Sequence, residues 1–231
     1  MKVEFAPARL DRKSPLRDQI YDYIRDQILT GKIGPGEIVD EKLIAKQLQI
    51  SRTPVREAVK KLSDEHLIDV VAQSSTRAAA IDPHEVEQAF IIRRALEIEI
   101  VSQAALRITQ AHIDRLTEIL ATHAHAIERK DYVLAIKTDD RFHREIAEIS
   151  DLPRLWRAVE ISKAQLDRCR YMMLPRPGEA QTTLEQHRLI IRALASKNPE
   201  KASAAMAQHL DKAYTSTLKV LVPVAGIKNR A

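Results

Sequence analysis

Four polar side chains stand where a helical chain of this pattern would place leucine. Asp139 and His143 sit four residues apart on the stripe Tyr132, Ile136, Asp139, His143, Ile146, which puts both on one helix face, a turn apart. His187 interrupts the stripe Leu184, Ile191, Leu194, and His209 interrupts Ala202, Ala205, Met206, Ala213. Burial of any one of these groups without a partner costs a few kcal/mol. A single histidine on such a stripe fits a satisfied core residue, but three imidazoles and a carboxylate fit one shared ion. The donor set suits a divalent transition metal, Zn²⁺ first, with Ni²⁺, Mn²⁺ or Fe²⁺ as further choices, and leaves open positions where coordination exceeds four.

Two more polar residues lie on apolar stripes. Arg93 follows Val86 and Phe90 and precedes Glu97 and Ile100. Its guanidinium either closes a buried ion pair, with Glu97 or another carboxylate, or forks onto the carboxylate of a ligand bound beside the metal. His123 shares a stripe with Ile113, Leu116, Leu120 and Ile127, where core packing or a pocket wall fits better than a metal ligand.

A different chemistry lies near the amino end. The net charge is +5 overall, and Met1 to Asp82 carry 14 Lys/Arg against 13 Asp/Glu, yet Lys42, Lys46, Arg52, Arg56, Lys60 and Lys61 face only Glu57 within residues 42–61. Such local concentration is what phosphate binding requires. In S-R-T-P-V-R-E-A at 51–58, Thr53 is expected to cap a helix whose first turn Pro54 stiffens, and its backbone N–H groups attract phosphate. Ser51, Arg52, Thr53 and Arg56 would then meet a DNA major groove, the arginines forking onto guanine. Lys42, Lys46 and Lys60 are placed for backbone phosphates, and Arg77, beside Gln73 and Ser74, for the minor groove or a phosphate.

The elements that must hold these groups are mostly α-helical. Five glycines and 4% aromatics, in a 231-residue chain with 45% hydrophobic and 30% charged residues, favour packed helices over disorder. Ser14-Pro15 opens a first helix with Ile20, Tyr23, Ile24 and Ile28 inward, ended by Gly31. Asp40 caps a second, with Leu43, Ile44 and Leu48 inward, and the third carries Val55, Ala58, Val59 and Leu62. Two β-like runs, Leu67–Val71 and Arg77–Ile81, complete the outline of a winged helix-turn-helix. From Asp82 onward the periodicity predicts helices over 82–108, 110–129, 131–150, 153–172, 178–196 and 199–222, joined by short links as in an antiparallel bundle. The division expected is an extension over 1–14, a DNA-binding domain over 15–81, a helical domain over 82–222 and a tail over 223–231.

The composition excludes several classes. The single cysteine, Cys169, cannot form an internal disulfide framework or a Cys-rich zinc cluster. No apolar run approaches the roughly 18 residues of a membrane helix, and Met1–Ser14 lack the apolar block of a signal peptide, so a soluble, cytoplasmic protein without a membrane partner is expected.

With G-x-x-x-P-G-E at 31–37, L-I-A-K-Q-L-Q-I-S-R-T-P-V-R-E-A at 43–58 and L-x-x-x-H-L-I at 62–68, residues 15–81 resemble the GntR family of bacterial transcription regulators. The resemblance implies that Arg52 and Arg56 read bases and that the wing adds contacts. Two positions depart from the family pattern: His66 stands where glycine is common, and Ser75 stands where the wing turn usually has glycine. R-R-A-L-E at 93–97, D-D-R-F-H at 139–143, E-Q-H-R-L-I at 185–190 and A-Q-H-L at 207–210 resemble the FCD ligand-binding domain of the FadR subfamily. That resemblance places the domain's metal-binding Asp and three His on Asp139, His143, His187 and His209, and favours Arg93 as an effector contact. It implies a small organic or sugar acid as effector.

One winged helix reads few base pairs, so a homodimer on a palindromic operator in double-stranded DNA is expected. A metalloenzyme would need a general base beside the ligands, and Asp140 falls on another face. An architectural DNA binder would be indifferent to small acids.

Overall fold

A computed structural model describes residues 11, 14–71 and 75–225 and divides between Asp82 and Pro83 into two compact units. The first contains α1 (Leu16–Leu29), α2 (Glu41–Gln47) and α3 (Arg52–Asp64), then the antiparallel pair β1 (Ile68–Val71) and β2 (Ser75–Ala78). Its core is aliphatic: Ile20, Ile24 and Ile28 of α1 and Val55, Ala58, Val59 and Leu62 of α3 are all buried. On α2 the inward residues are Ile44 and Ala45, with Leu48 just beyond, while Leu43 is only half-buried. Asp40 caps α2, accepting hydrogen bonds from the backbone N–H groups of Lys42 (2.9 Å) and Leu43 (3.0 Å).

Helix starts differ from expectation at two places. Pro15 occupies the N-cap position of α1 rather than its first turn, and the Ser14 backbone carbonyl instead accepts a hydrogen bond from the Gln19 side-chain Nε2 (2.9 Å). On α3 the cap position belongs to Ser51 in extended conformation, so Thr53 lies inside the helix. Pro54 has no N–H to give, which suits any of the first helical positions and made the start ambiguous in sequence.

The second strand is displaced from the run expected over Arg77–Ile81: β2 begins at Ser75 and ends at Ala78, and β1 begins at Ile68 rather than Leu67. The hairpin's register pairs Ile68 with Ala78 and Val71 with Ser75, and Gln73 and Ser74 lie outside the described residues. The segment after the Gly34-Pro35-Gly36 turn runs along the other edge of β2: Ala78 donates to Glu37 (2.9 Å) and Val39 to Thr76 (2.9 Å). Gly36, at φ +78°, supplies the left-handed residue that aims this segment. His66 holds a similar conformation, φ +56°, between α3 and β1, the position where the family pattern has glycine.

The second unit comprises α4 (Pro83–Arg107), α5 (Gln110–Glu128), α6 (Tyr132–Ser150), α7 (Pro153–Ser162), α8 (Ala164–Met173), α9 (Glu179–Ala195) and α10 (Pro199–Ala225). α4 packs on α6 and α10, and α5 on α6 and α9. One apolar cluster joins Ile100, Val101, Phe142, Ile146, Trp156, Ile190 and Met206, and a second joins Leu120, Ile136, Leu174 and Leu184. Thr109 and Asp131 cap α5 and α6, and Asp151 ends α6 in the left-handed region at φ +62°.

The single helix expected over 153–172 is two, broken at Lys163. No Gly or Pro marks the break. Lys163 is buried and its ammonium reaches Asp140 Oδ2 (2.8 Å) on α6 and Asp167 Oδ2 (2.6 Å) on α8. The last helix runs to Ala225, past the boundary expected at 222, and residues 226–231 of the expected tail, like most of the extension over 1–14, lie outside the described residues. Among the described residues, no helix is long and apolar enough to cross a membrane.

Candidate functional site

Helices α4, α5, α6, α9 and α10 bring the polar intruders of their apolar stripes together. His143, His187 and His209 are buried, with one ring nitrogen of each within 4.8 Å of the others, and ring centroids 4.7 to 5.3 Å apart. Asp139 spans two of them: Oδ1 lies 3.4 Å from His187 Nε2 and Oδ2 lies 3.8 Å from His143 Nε2. The four residues singled out by their stripes therefore meet.

The arrangement fits a metal ion. Both ring nitrogens of His187 and Nε2 of His209 are buried without a hydrogen-bond partner, which native interiors rarely tolerate. Burial, reinforced by neighbouring imidazoles, pushes His187 well below the usual histidine range and takes His209 to about 3, so both are neutral at physiological pH with free lone pairs. Burial alone would raise Asp139, but the charge of Arg170 beside it outweighs this and holds the carboxyl well below its usual range. Neutral imidazoles and an ionised carboxylate are the ligand forms a divalent ion needs.

Arg93 forms the ion pair that its spacing allowed. Its Nε donates to Glu97 Oε1 (2.5 Å), and Nη2 lies 3.1 Å from His143 Nε2. The other carboxylate oxygen of Glu97 lies against His143 Nδ1. A proton on Nδ1 leaves the lone pair on Nε2, the nitrogen facing Asp139 and Arg93. Desolvation would lift Glu97, but Arg93 and His143 hold it down at about 2. Trp156 stacks on the far side of the His143 ring, with centroids 6.1 Å apart.

Arg170 of α8 joins the cluster although no apolar stripe in the sequence points to it. Its guanidinium pairs with Asp139 Oδ2 and, through Nη1, with Asp140 Oδ1 (2.8 Å) and Asp167 Oδ1 (2.9 Å). Every residue from Ala164 to Arg170 is buried, so α8 has no apolar stripe against which an arginine stands out. The Asp167-x-x-Arg170 pair, one turn apart, was the available signal. Asp140 belongs to this ion network, paired with Lys163 and Arg170.

A cavity of about 30 Å³ adjoins the cluster, lined by Arg93, His123, Asp139, Arg170, Thr183 and His209 among others. It has room for a metal ion or a water or two and not for an organic acid in this state.

In the first unit Ser51, Arg52, Thr53, Arg56, Lys42, Lys46 and Lys60 are all exposed on α2 and α3 and the link between them. Ser51 makes no side-chain cap hydrogen bond and no acid occupies the first turn of α3, so its amino-end N–H groups stay positive and unshielded. Arg56 is 72% exposed and touches Glu41 at 3.9 Å, a contact too long and too wet to hold it. Arg77 differs. It is exposed, but its Nε donates to Ser75 Oγ (2.9 Å) and its Nη1 to Gly36 O (2.8 Å), which ties the wing to the turn.

Residues 16–77 match the family model described as bacterial regulatory proteins of the gntR family, and residues 88–212 match the FCD domain. The chain belongs to the GntR family. It is a DNA-binding transcription regulator with an FCD domain, not an enzyme. It is 32% identical over 212 residues to the HTH-type transcriptional repressor RspR of Escherichia coli K12, covering 92% of this chain and 93% of that one. Likeness to the HTH-type transcriptional regulator LutR of Bacillus subtilis is 28% over 204 residues, 79% of this chain and 92% of the relative. The structure of E. coli McbR/YncC shares the fold, with a TM-score of 0.78 at 23% identity over 90% of this chain and 99% of that one.

Proposed function

We propose that this GntR-family regulator binds a palindromic operator as a homodimer and that a small organic or sugar acid, held beside a divalent metal in the FCD domain, controls the binding. The observation that carries the effector reading is the buried cluster of Asp139, His143, His187 and His209 beside a cavity that Asp139 and His209 line together with two guanidinium groups, Arg93 and Arg170. Those four residues would hold the ion, Zn²⁺ or another divalent transition metal, which would supply a Lewis-acid anchor for a carboxylate. Glu97 orients His143 by taking its Nδ1 proton in a hydrogen bond, and Phe142 stacks on His187 at 4.2 Å to fix the second ring.

His143 Nε2 has one lone pair. Were that pair given to an ion, Arg93 Nη2 would lose its acceptor and be free for a ligand carboxylate, while Nε would keep Glu97. The cavity is too small for an acid as it stands, so the ligand selects a more open arrangement of the bundle.

At the other end, Arg52 and Arg56 are read as base contacts from α3, with Ser51, Thr53, Lys42, Lys46 and Lys60 on phosphates. Arg77 is better read as a support for the wing that can still lend charge to a phosphate. The E. coli relative is named a repressor, and we carry that sense of regulation to this chain. Such a regulator works where the DNA is, in the cytoplasm.

A thermal-shift screen of metal-loaded protein against carboxylic and sugar acids tests the effector reading. One acid class should raise the melting temperature in proportion to its logarithmic concentration, and lose that effect after chelation. A screen in which no acid moves the transition would contradict it.

A further inference from the structure

We propose that His123 is a fifth protein donor to the metal centre, an inference that rests on the metal reading above. His123 comes from α5, which among the described residues gives no other donor to the cluster, and it is 1% exposed. Neither of its ring nitrogens has a hydrogen-bond partner. A neutral imidazole brings one donor and one acceptor into the interior, so a histidine kept only for packing would be worse than the leucine its stripe calls for. The ring faces the same cavity as Asp139 and His209, and its centroid lies 5.5 Å from that of His187. One nitrogen of His123, one of His187 and an oxygen of Asp139 all lie within 4.8 Å of one another.

These three form a donor triad that shares His187 with the triad of His143, His187 and His209. Asp139 reaches both sets through its two oxygens. The five residues are thus linked through His187, which belongs to both triads, and through Asp139, which also reaches His143.

The consequence is a change in what the site selects and leaves open. Four imidazoles and a carboxylate exceed the four ligands of a usual zinc site and suit ions that take five or six, such as Ni²⁺, Fe²⁺ or Mn²⁺. Five protein donors would leave less of the ion open to an acid effector than four, so such an acid would lean more on Arg93 and Arg170, which line the same cavity.

Cobalt is a suitable probe, because each imidazole bound to high-spin Co²⁺ gives a hyperfine-shifted N–H proton resonance. Full-length protein stripped with a chelator and loaded with one equivalent of Co²⁺ should show four such resonances. His123→Ala and His123→Gln should each show three while still binding Co²⁺. The Gln variant keeps most of the volume and a polar end, so the count stays readable if Ala impairs folding. Three resonances in the parent, unchanged by either substitution, would overturn the role of His123 while leaving the metal reading intact. A parent that binds no Co²⁺ would overturn both.

Discussion

Arg52 and Lys60 carry the same charge on the same helix, yet they should fail differently when removed. Arg52 sits at the first position of α3, beside unshielded backbone donors, and Arg56 follows one turn on, so both can face base edges. Arg52→Ala and Arg56→Ala should each cost about 1–3 kcal/mol of specific binding while leaving non-specific binding nearly intact. Lys46→Ala and Lys60→Ala should weaken all sequences alike and flatten the salt dependence. A competition gel shift with operator and random DNA at several salt concentrations separates the two classes. Arg93 presents a different case. Its ion pair with Glu97 is fully buried, so Arg93→Ala strands a carboxylate and should destabilise the FCD domain by about 3–5 kcal/mol in urea unfolding. Arg93→Lys keeps a cation for Glu97 and should cost much less, but an ammonium cannot serve two acceptors as a planar fork does.

Helices were legible where polarity followed a period. The stripes of α1, α3, α6, α9 and α10 put most inward residues where the structure buries them, with Tyr23, Tyr132, Ile191, Ala205 and Ala213 only half-buried, and because those stripes were apolar, Asp139, His143, His187 and His209 stood out on them. Two features followed no period. The break at Lys163 is set by an ion network reaching across to α6, and Arg170 lies in a helix whose polar and apolar residues are buried alike. Tertiary charge pairing decided both, and neither leaves a local signature. Caps were legible by type rather than position: Asp40 acts as expected, whereas Ser51 displaces Thr53. Asp40→Ala should cost about 1 kcal/mol, read as a lower thermal midpoint of the DNA-binding domain, with operator affinity reduced because α2 carries Lys42 and Lys46.

For the whole molecule, the proposed function requires that occupancy of the FCD domain change the operator affinity of the winged helix, and α4 begins at Pro83 directly after the first unit ends. Protein purified without chelator should contain about one divalent transition metal per chain by elemental analysis, and His187→Ala or His209→Ala should lower that content without unfolding the winged helix. A ligand acts on DNA binding only through its differential affinity for two arrangements of the molecule, and typical coupling of about 1–3 kcal/mol corresponds to about a 5- to 150-fold change. The most direct measurement is operator affinity of the metal-loaded protein with and without the acid identified by thermal shift, in the parent and in Arg93→Lys. The parent's affinity should change within that range, and the change should vanish on chelation and in Arg93→Lys, whose metal content and ligand-free operator binding stay near the parent's. An operator affinity indifferent to acid and to metal removal in the parent would contradict the account.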